Sequence, residues 1–239
     1  MSKKNKQVTQ RVNSSQEEKS ATNDSKKRQK NEEKINRNVN LTPYDVLFLE
    51  DLENRRLCLF GEINTDDEYD GEAGNSSMSE LIMHIMRYNR EDKGIKPKDR
   101  KPIMLYINSP GGDVIEGFAL VSAIETSRTP VYTVNIGQWS SMAFLIGITG
   151  KKRFSLPHSI FLLHDGTTFA IGSSTKVQDK ADFNKRYEKE ITRKHVLTHT
   201  KISRKIYEKN LRKEFYMLTD DALELGVIDE VIKSLDEIL

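Results

Sequence analysis

Tyr106-Ile-Asn-Ser-Pro-Gly-Gly112 and Gly137-Gln-Trp-Ser-Ser-Met142 decide how this chain is read. Each follows an apolar run of buried-strand character, Ile103 to Ile107 and Val131 to Ile136. Each leads into a helical pattern. A strand that turns sharply into a helix leaves the first N–H groups of that helix without partners. Those groups carry partial positive charge and suit an anion. Gly-Gly lets backbone approach closely because no Cβ intervenes. A serine at the second turn then sits beside hydrogen-bond donors, the arrangement that acyl transfer requires. The rival reading is that Ser140 and Ser141 only cap the helix that follows.

Outward from these turns, β and α patterns alternate. Arg56 to Ile63 reads as a first strand. Asn64 to Ser77 reads as an acidic loop whose Asp66, Glu68, Asp70 and Gly71 fall near calcium-loop offsets. Residue 77 is Ser where the closing carboxylate would be, so the ligand set is incomplete. Met78 to Asn89 has helical spacing, and the charged stretch to Pro102 reads as a loop. Val114 to Thr126 reads as a helix with Ile115, Phe118, Ala119, Val121 and Ile124 inward. Ser141 to Thr149 reads as the helix after the second turn. Arg153 to Leu156 and Ser159 to Leu163 read as short strands. Gly166 to Ser174 carries β-type residues between glycines. Lys176 to His199 reads as one long charged helix, Ser203 to Asn210 and Asp220 to Leu225 as short ones, and Val227 to Ile232 as a last strand. The alternation predicts an α/β fold with largely parallel strands.

Charge divides the chain. Residues 1–40 hold 11 Lys/Arg against 5 Asp/Glu, and the remainder 27 against 31. The first segment has little apolar content and is expected to be a disordered basic tail, with residues 41–239 as the folded domain. Its basic residues alternate with acids and no aromatic occurs among them, so no specific nucleic acid is expected as a partner. Cys58 is the chain's one cysteine, which fits a reducing compartment. No apolar run has the length of a membrane span and no secretory h-region is present. The expected location is the cytoplasm.

The order YINSPGG, GQWSSM and Leu162-Leu-His164 resembles the proteolytic subunit of the ATP-dependent Clp protease, from about Asp51 to about Ile232. The resemblance implies a ββα spiral of the Clp protease and crotonase type. It places the nucleophile directly before Met142, at Ser141, and the base at His164. By register the acid falls on Glu214, where the family has aspartate; Glu208, Asp220 and Asp221 are alternatives. Gly112 and Met142 supply the N–H groups of the oxyanion hole. The connection from Ser141 to His164 is about two residues shorter than the resemblance implies, with the loss expected near Thr149-Gly150-Lys151. The resemblance further implies paired heptameric rings, with the helix over 176–199 at the ring contact. It implies an AAA+ unfoldase partner and unfolded polypeptides as substrates.

The chain has no Walker loop, so ATP would be consumed by the partner and no cofactor is expected here. No Cys pair or HExxH is present. His195 and His199 share a helix face, but the sequence shows no third ligand for them. Three rivals share parts of this pattern. A crotonase-type acyl-CoA enzyme would use Glu or Asp rather than a Ser141/His164 pair. A ring component with an impaired triad is kept open by Glu214. A signal-peptide peptidase would need a Ser–Lys dyad and an anchor.

Overall fold

The structure, a computed structural model, describes residues 43–64, 77–166 and 170–239. The expected tail over 1–40, the calcium-like spacing at 66–71 and residues 167–169 of the glycine-flanked stretch lie outside the described residues. The chain divides into two units, Met1–Leu49 and Glu50–Leu239. Helix α1 is Pro43–Glu53. Beyond it come β1 (Arg56–Ile63), α2 (Met78–Glu91), β2 (Ile103–Gly112), α3 (Val114–Thr126), β3 (Val131–Ser140) and α4 (Met142–Gly147). Then follow β4 (Lys152–Ser155), β5 (Ile160–Leu163), α5 (Ser174–Tyr187), α6 (Arg193–His199), α7 (Arg204–Asn210), β6 (Phe215–Leu218), α8 (Thr219–Glu224) and β7 (Glu230–Val231).

The fold is α/β. Strands run in the order β1-β2-β3-β4-β7, with β5 branching from β3 and β6 lying on β5. Every pairing is parallel except β5 with β6. Alternation along β2 buries Ile103, Leu105 and Ile107 completely, each contributing about 1.5–3 kcal/mol. Strand β3 forks. Its residues Tyr132 to Asn135 pair with β4, and Gln138 to Ser140 pair with β5. Asn135 is fully buried at the fork and satisfied there. Its Nδ2 donates to the Ile160 carbonyl at 3.0 Å, and its Oδ1 accepts from Gly137 N at 3.0 Å. The short link after α4 closes by Gly150 N to Gly147 O and Lys151 N to Val131 O, which delivers the chain straight into β4.

Several expectations are corrected. Strands β2 and β3 run on to Gly112 and Ser140, because both glycine turns keep sheet pairing. Ile115 and Ala119 of α3 are exposed, and Gly117 and Leu120 take the inward positions. The long helix is interrupted by a π-helical segment, Glu188–Thr192. The expected last strand shrinks to Glu230–Val231. Among the described residues, no helix is long and apolar enough to cross a membrane.

The entry to β1 is held by a buried ion pair. Arg55 lies at φ 62°, and its Nη1 and Nη2 donate to Asp92 Oδ2 and Oδ1 at 2.8 and 2.7 Å. Thr129 Oγ1 donates to the same carboxylate at 2.8 Å. The Arg55 guanidinium holds the Asp92 carboxyl below its ordinary value. Asp92→Asn leaves Arg55 with only the more exposed Glu91 carboxylate, 3.8 Å away, and should cost at most about 3–5 kcal/mol at neutral pH. The depressed carboxylate stabilises the fold above its unfolded value of about 3.9, and that stabilisation is lost as pH falls through the folded value. Urea unfolding of wild type and variant should therefore converge in acid; a gap that does not narrow would show that the charge is not the cause.

Candidate active site

Ser141 is the residue where β3 becomes α4. Its backbone sits at φ 55°, ψ −121°, and only Arg55 shares a positive φ among the described non-glycine residues. Such a conformation costs about 1–3 kcal/mol and persists only when its surroundings hold it. Here Ser141 N donates to Leu162 O at 2.9 Å, and Phe144 N donates to Ser141 O at 3.1 Å. The Ser141 side chain makes no capping bond. Ser140 is buried and its Oγ donates to Gln138 Oε1 at 3.4 Å. The two adjacent serines are therefore separated by the turn, one into the protein and one toward the cavity.

The Gly-Gly turn abuts this elbow. A Cβ on Gly111, at φ +96°, would lie 2.6 Å from Ser140 O, 2.7 Å from Ser141 Cβ and 2.8 Å from Met142 N. A Cβ on Gly112 would lie 2.1 Å from Ile63 O. Asp113 then starts α3, its Oδ1 accepting from Ile115 N and Glu116 N at 2.7 and 2.9 Å. The first backbone turns of α3 and α4 are thus brought side by side.

His164 lies one residue beyond β5. The antiparallel register Leu163↔Phe215 places residue 214 beside it. His164 Nδ1 lies 2.9 Å from Glu214 Oε1. An ionised carboxylate only accepts, so Nδ1 carries the hydrogen and Nε2 keeps its lone pair. Nε2 is buried and has no hydrogen-bond partner. Gly112, Ser141, Met142 and His164 line one cavity of about 340 Å³. Glu214 stands behind the imidazole, with its side chain 55% exposed. All five expected residues thus fall in one place.

The alternatives lie elsewhere. Glu208 pairs with Arg204 and Arg193 at 2.8 and 3.5 Å. Asp221 Oδ2 accepts from Leu218 N at 3.0 Å, and Asp220 is exposed. Burial pushes the Cys58 thiol up to about 11, so it is no nucleophile at neutral pH. His84 stacks on Tyr88, and His158 is exposed. His195 is buried rather than superficial, and burial holds it below its ordinary value. Glu125 lies beside His195 and His199, its Oε1 3.5 Å from a ring nitrogen of each.

A family model described as Clp protease matches residues 74–235, more than half of the 239-residue chain. The chain belongs to the Clp protease family. Its fold is that of a Clp-type peptidase, and the matched span takes in both glycine turns, the elbow, His164 and Glu214. In this Clp protease family member, further cavity residues come from the long helix and α7: Phe183, Tyr187, Glu188 and Tyr207 among them. Ile115 lines the same cavity, which explains its outward position on α3. An apolar residue in the first turn after Gly-Gly is the sequence signal that would have found it.

Gly94 offers a control for the close approach. Its φ of +97° nearly equals that of Gly111, yet nothing lies within 4 Å of a Cβ built there. Gly94→Ala should cost only the backbone strain, about 1–2 kcal/mol. Gly111→Ala must also displace the elbow backbone, and should cost clearly more in urea unfolding. Equal costs would mean that the two turns can separate freely.

Proposed function

We propose that this Clp protease family member is a serine endopeptidase subunit. Ser141 is the nucleophile, His164 the general base and Glu214 the acid. The observation that carries the reading is the 2.9 Å His164–Glu214 bond behind an imidazole whose free Nε2 borders the cavity of the strained Ser141. Ser141 Oγ attacks the scissile carbonyl carbon while His164 Nε2 takes its proton. The N–H groups of Gly112 and Met142 receive the charge that develops on the carbonyl oxygen. His164 then gives its proton to the leaving amine, and an acyl-enzyme forms. Water, deprotonated by the same nitrogen, releases the acid product and regenerates Ser141. Glu214 keeps the proton on Nδ1 and offsets the charge of the imidazolium. Nε2 makes no hydrogen bond in this state, so the Ser141–His164 bond has to form with substrate bound.

Family membership supports a Clp-type assembly with an unfoldase partner in general, and the ring form is part of this proposal. Heptameric rings stacked in pairs would enclose the cavities. The long helix carries exposed Val177 and Ile191, apolar groups that a ring contact would cover. An AAA+ unfoldase would supply unfolded polypeptide at the expense of ATP, with no cofactor in this chain. The proposed location is the cytoplasm.

A fluorophosphonate with mass mapping, alongside peptide turnover, tests the site. Ser141 should carry the label, and Ser141→Ala should lower turnover by about 10^3-fold or more. Labelling at Ser140, or activity in the alanine variant, overturns the assignment. Glu214→Gln keeps the size of the side chain and removes its charge, so turnover should fall by about 10^2-fold or more. Glu214→Asp should also lose activity, because the register Leu163↔Phe215 fixes the backbone and the shorter chain cannot keep the bond. Activity gained with aspartate would instead support the impaired-triad reading of wild type.

A further inference from the structure

Helix α6 presents two imidazoles one turn apart, His195 and His199, toward Glu125 near the end of α3. His195 Nδ1 and His199 Nε2 each lie 3.5 Å from the same oxygen, Glu125 Oε1. The ligand atoms all lie within 4.8 Å of one another.

The other ring nitrogens fix both tautomers. His195 Nε2 lies 3.0 Å from Leu145 O. A carbonyl oxygen only accepts, so this nitrogen carries the hydrogen. Thr149 Oγ1, 3.2 Å away, donates its own proton to Leu145 O and leaves a lone pair for the same N–H. His199 Nδ1 lies 3.0 Å from His195 O and must also donate. In neutral rings, His195 Nδ1 and His199 Nε2 therefore both turn lone pairs toward a carboxylate oxygen. Three electron-pair donors converge with no hydrogen between them. That arrangement is repulsive unless a proton on one ring or a metal cation lies among them, and the same three lone pairs that would share a proton can ligate a metal.

We propose that Glu125, His195 and His199 form a binding site for a divalent metal ion of borderline softness, with zinc the best fit. Two imidazoles and one carboxylate are a zinc ligand set, with the fourth position left to water. Bonds of about 2.0–2.1 Å in a tetrahedron give ligand–ligand edges of about 3.4 Å. The two 3.5 Å separations match that edge. The third closes by movement of the more accessible side chains, Glu125 at 45% and His199 at 23% exposure. His195, at 6%, is held by its bond to Leu145 O and by Phe118, edge-on at 5.8 Å. Carbonyl partners on the outer nitrogens are the usual support of metal-bound histidines. Glu125 and His199 also line an open cavity of about 850 Å³, which gives an ion a path in and a water ligand room. Of the basic groups there, Arg153 is engaged by Asp229 and by the carbonyls of His199 and Gly226.

The ion would clip α3 to α6, and the bond from His195 Nε2 to Leu145 O ties α4 to the same place. α3 begins after Gly112, α4 begins after Ser141, and α6 ends the long helix. Leu145, whose carbonyl fixes His195, lines the cavity that holds Ser141.

The test is zinc alone, titrated calorimetrically into tag-free, chelator-treated full-length protein, with cobalt(II) absorption as a second readout. One zinc per chain should bind, cobalt should show tetrahedral ligand-field bands, and zinc should raise the thermal midpoint. His199→Ala and Glu125→Ala alter accessible side chains. Each should weaken zinc binding by at least about 10–100-fold, the loss typical of even an outer-shell partner. His158→Ala, at an exposed histidine outside the site, should leave binding unchanged. Absence of saturable binding in wild type overturns the proposal, as does binding that survives undiminished in both site variants. No outcome depends on peptidase activity, so the test is independent of the proposed function.

Discussion

Strand β5 is the element on which the site depends. It is four residues long and is bonded on both sides. On one side Leu162 O accepts from Ser141 N. On the other, Leu163 pairs with Phe215 in antiparallel register. The three residues of the site therefore sit at the ends of three adjacent strands, and their separations follow from backbone hydrogen bonds rather than from side-chain packing alone. A one-residue slip of β5 would turn His164 to the opposite face of the sheet. Burial of Phe161, Leu162 and Leu163 opposes that slip.

The same logic explains the strain at Ser141. A serine at φ 55° is unfavourable in isolation. Three constraints hold it: the bond to β5, the short helix α4 whose residues are all buried, and the glycine turn pressed against it. Removing the Cβ at Gly111 is what allows two strand ends to share this space. The asymmetry of the histidine–carboxylate pair is also physical. The imidazole side chain is 21% exposed and the carboxylate 55%, so water screens the interaction between them. Its value lies more in fixing the tautomer than in stabilising the fold.

Much of this was legible in the sequence because it rests on local patterns. Helix α3 and strand β1 have the bounds that the apolar pattern predicts. The resemblance points to the five candidate site residues, four by motif order and Glu214 by register. What the sequence hid were effects of pairing at a distance. Phe215-Tyr-Met-Leu218 carries no turn signal of its own and becomes a strand only because β5 offers an edge. Val227 and Ile228 are fully buried yet unpaired in the sheet, so a hydrophobic run was read as a longer strand than exists. Ile115 broke the helical pattern because it faces a cavity, not the core. Glu125 lies 70 residues from His195, and no spacing rule connects a helix end with a histidine pair across that interval.

The π segment Glu188–Thr192 reconciles two demands on one helix. Upstream, Phe183, Tyr187 and Glu188 face the Ser141 cavity, and Glu188 Oε1 accepts from Tyr207 OH at 3.1 Å. Downstream, His195 must reach Leu145 O and Glu125. In an uninterrupted α-helix a residue seven positions on returns to nearly the same face. A wider turn between Glu188 and His195 rotates the second half relative to the first. The polar side chains Glu188 and His195 can then meet different partners, on α7 and on α3 and α4, without bending the helix away from the sheet. A π turn gives up regular α-helical bonding locally, and such turns recur at functional sites. Here that cost is offset on both sides of the interruption, by the cavity wall before it and by the buried histidine after it.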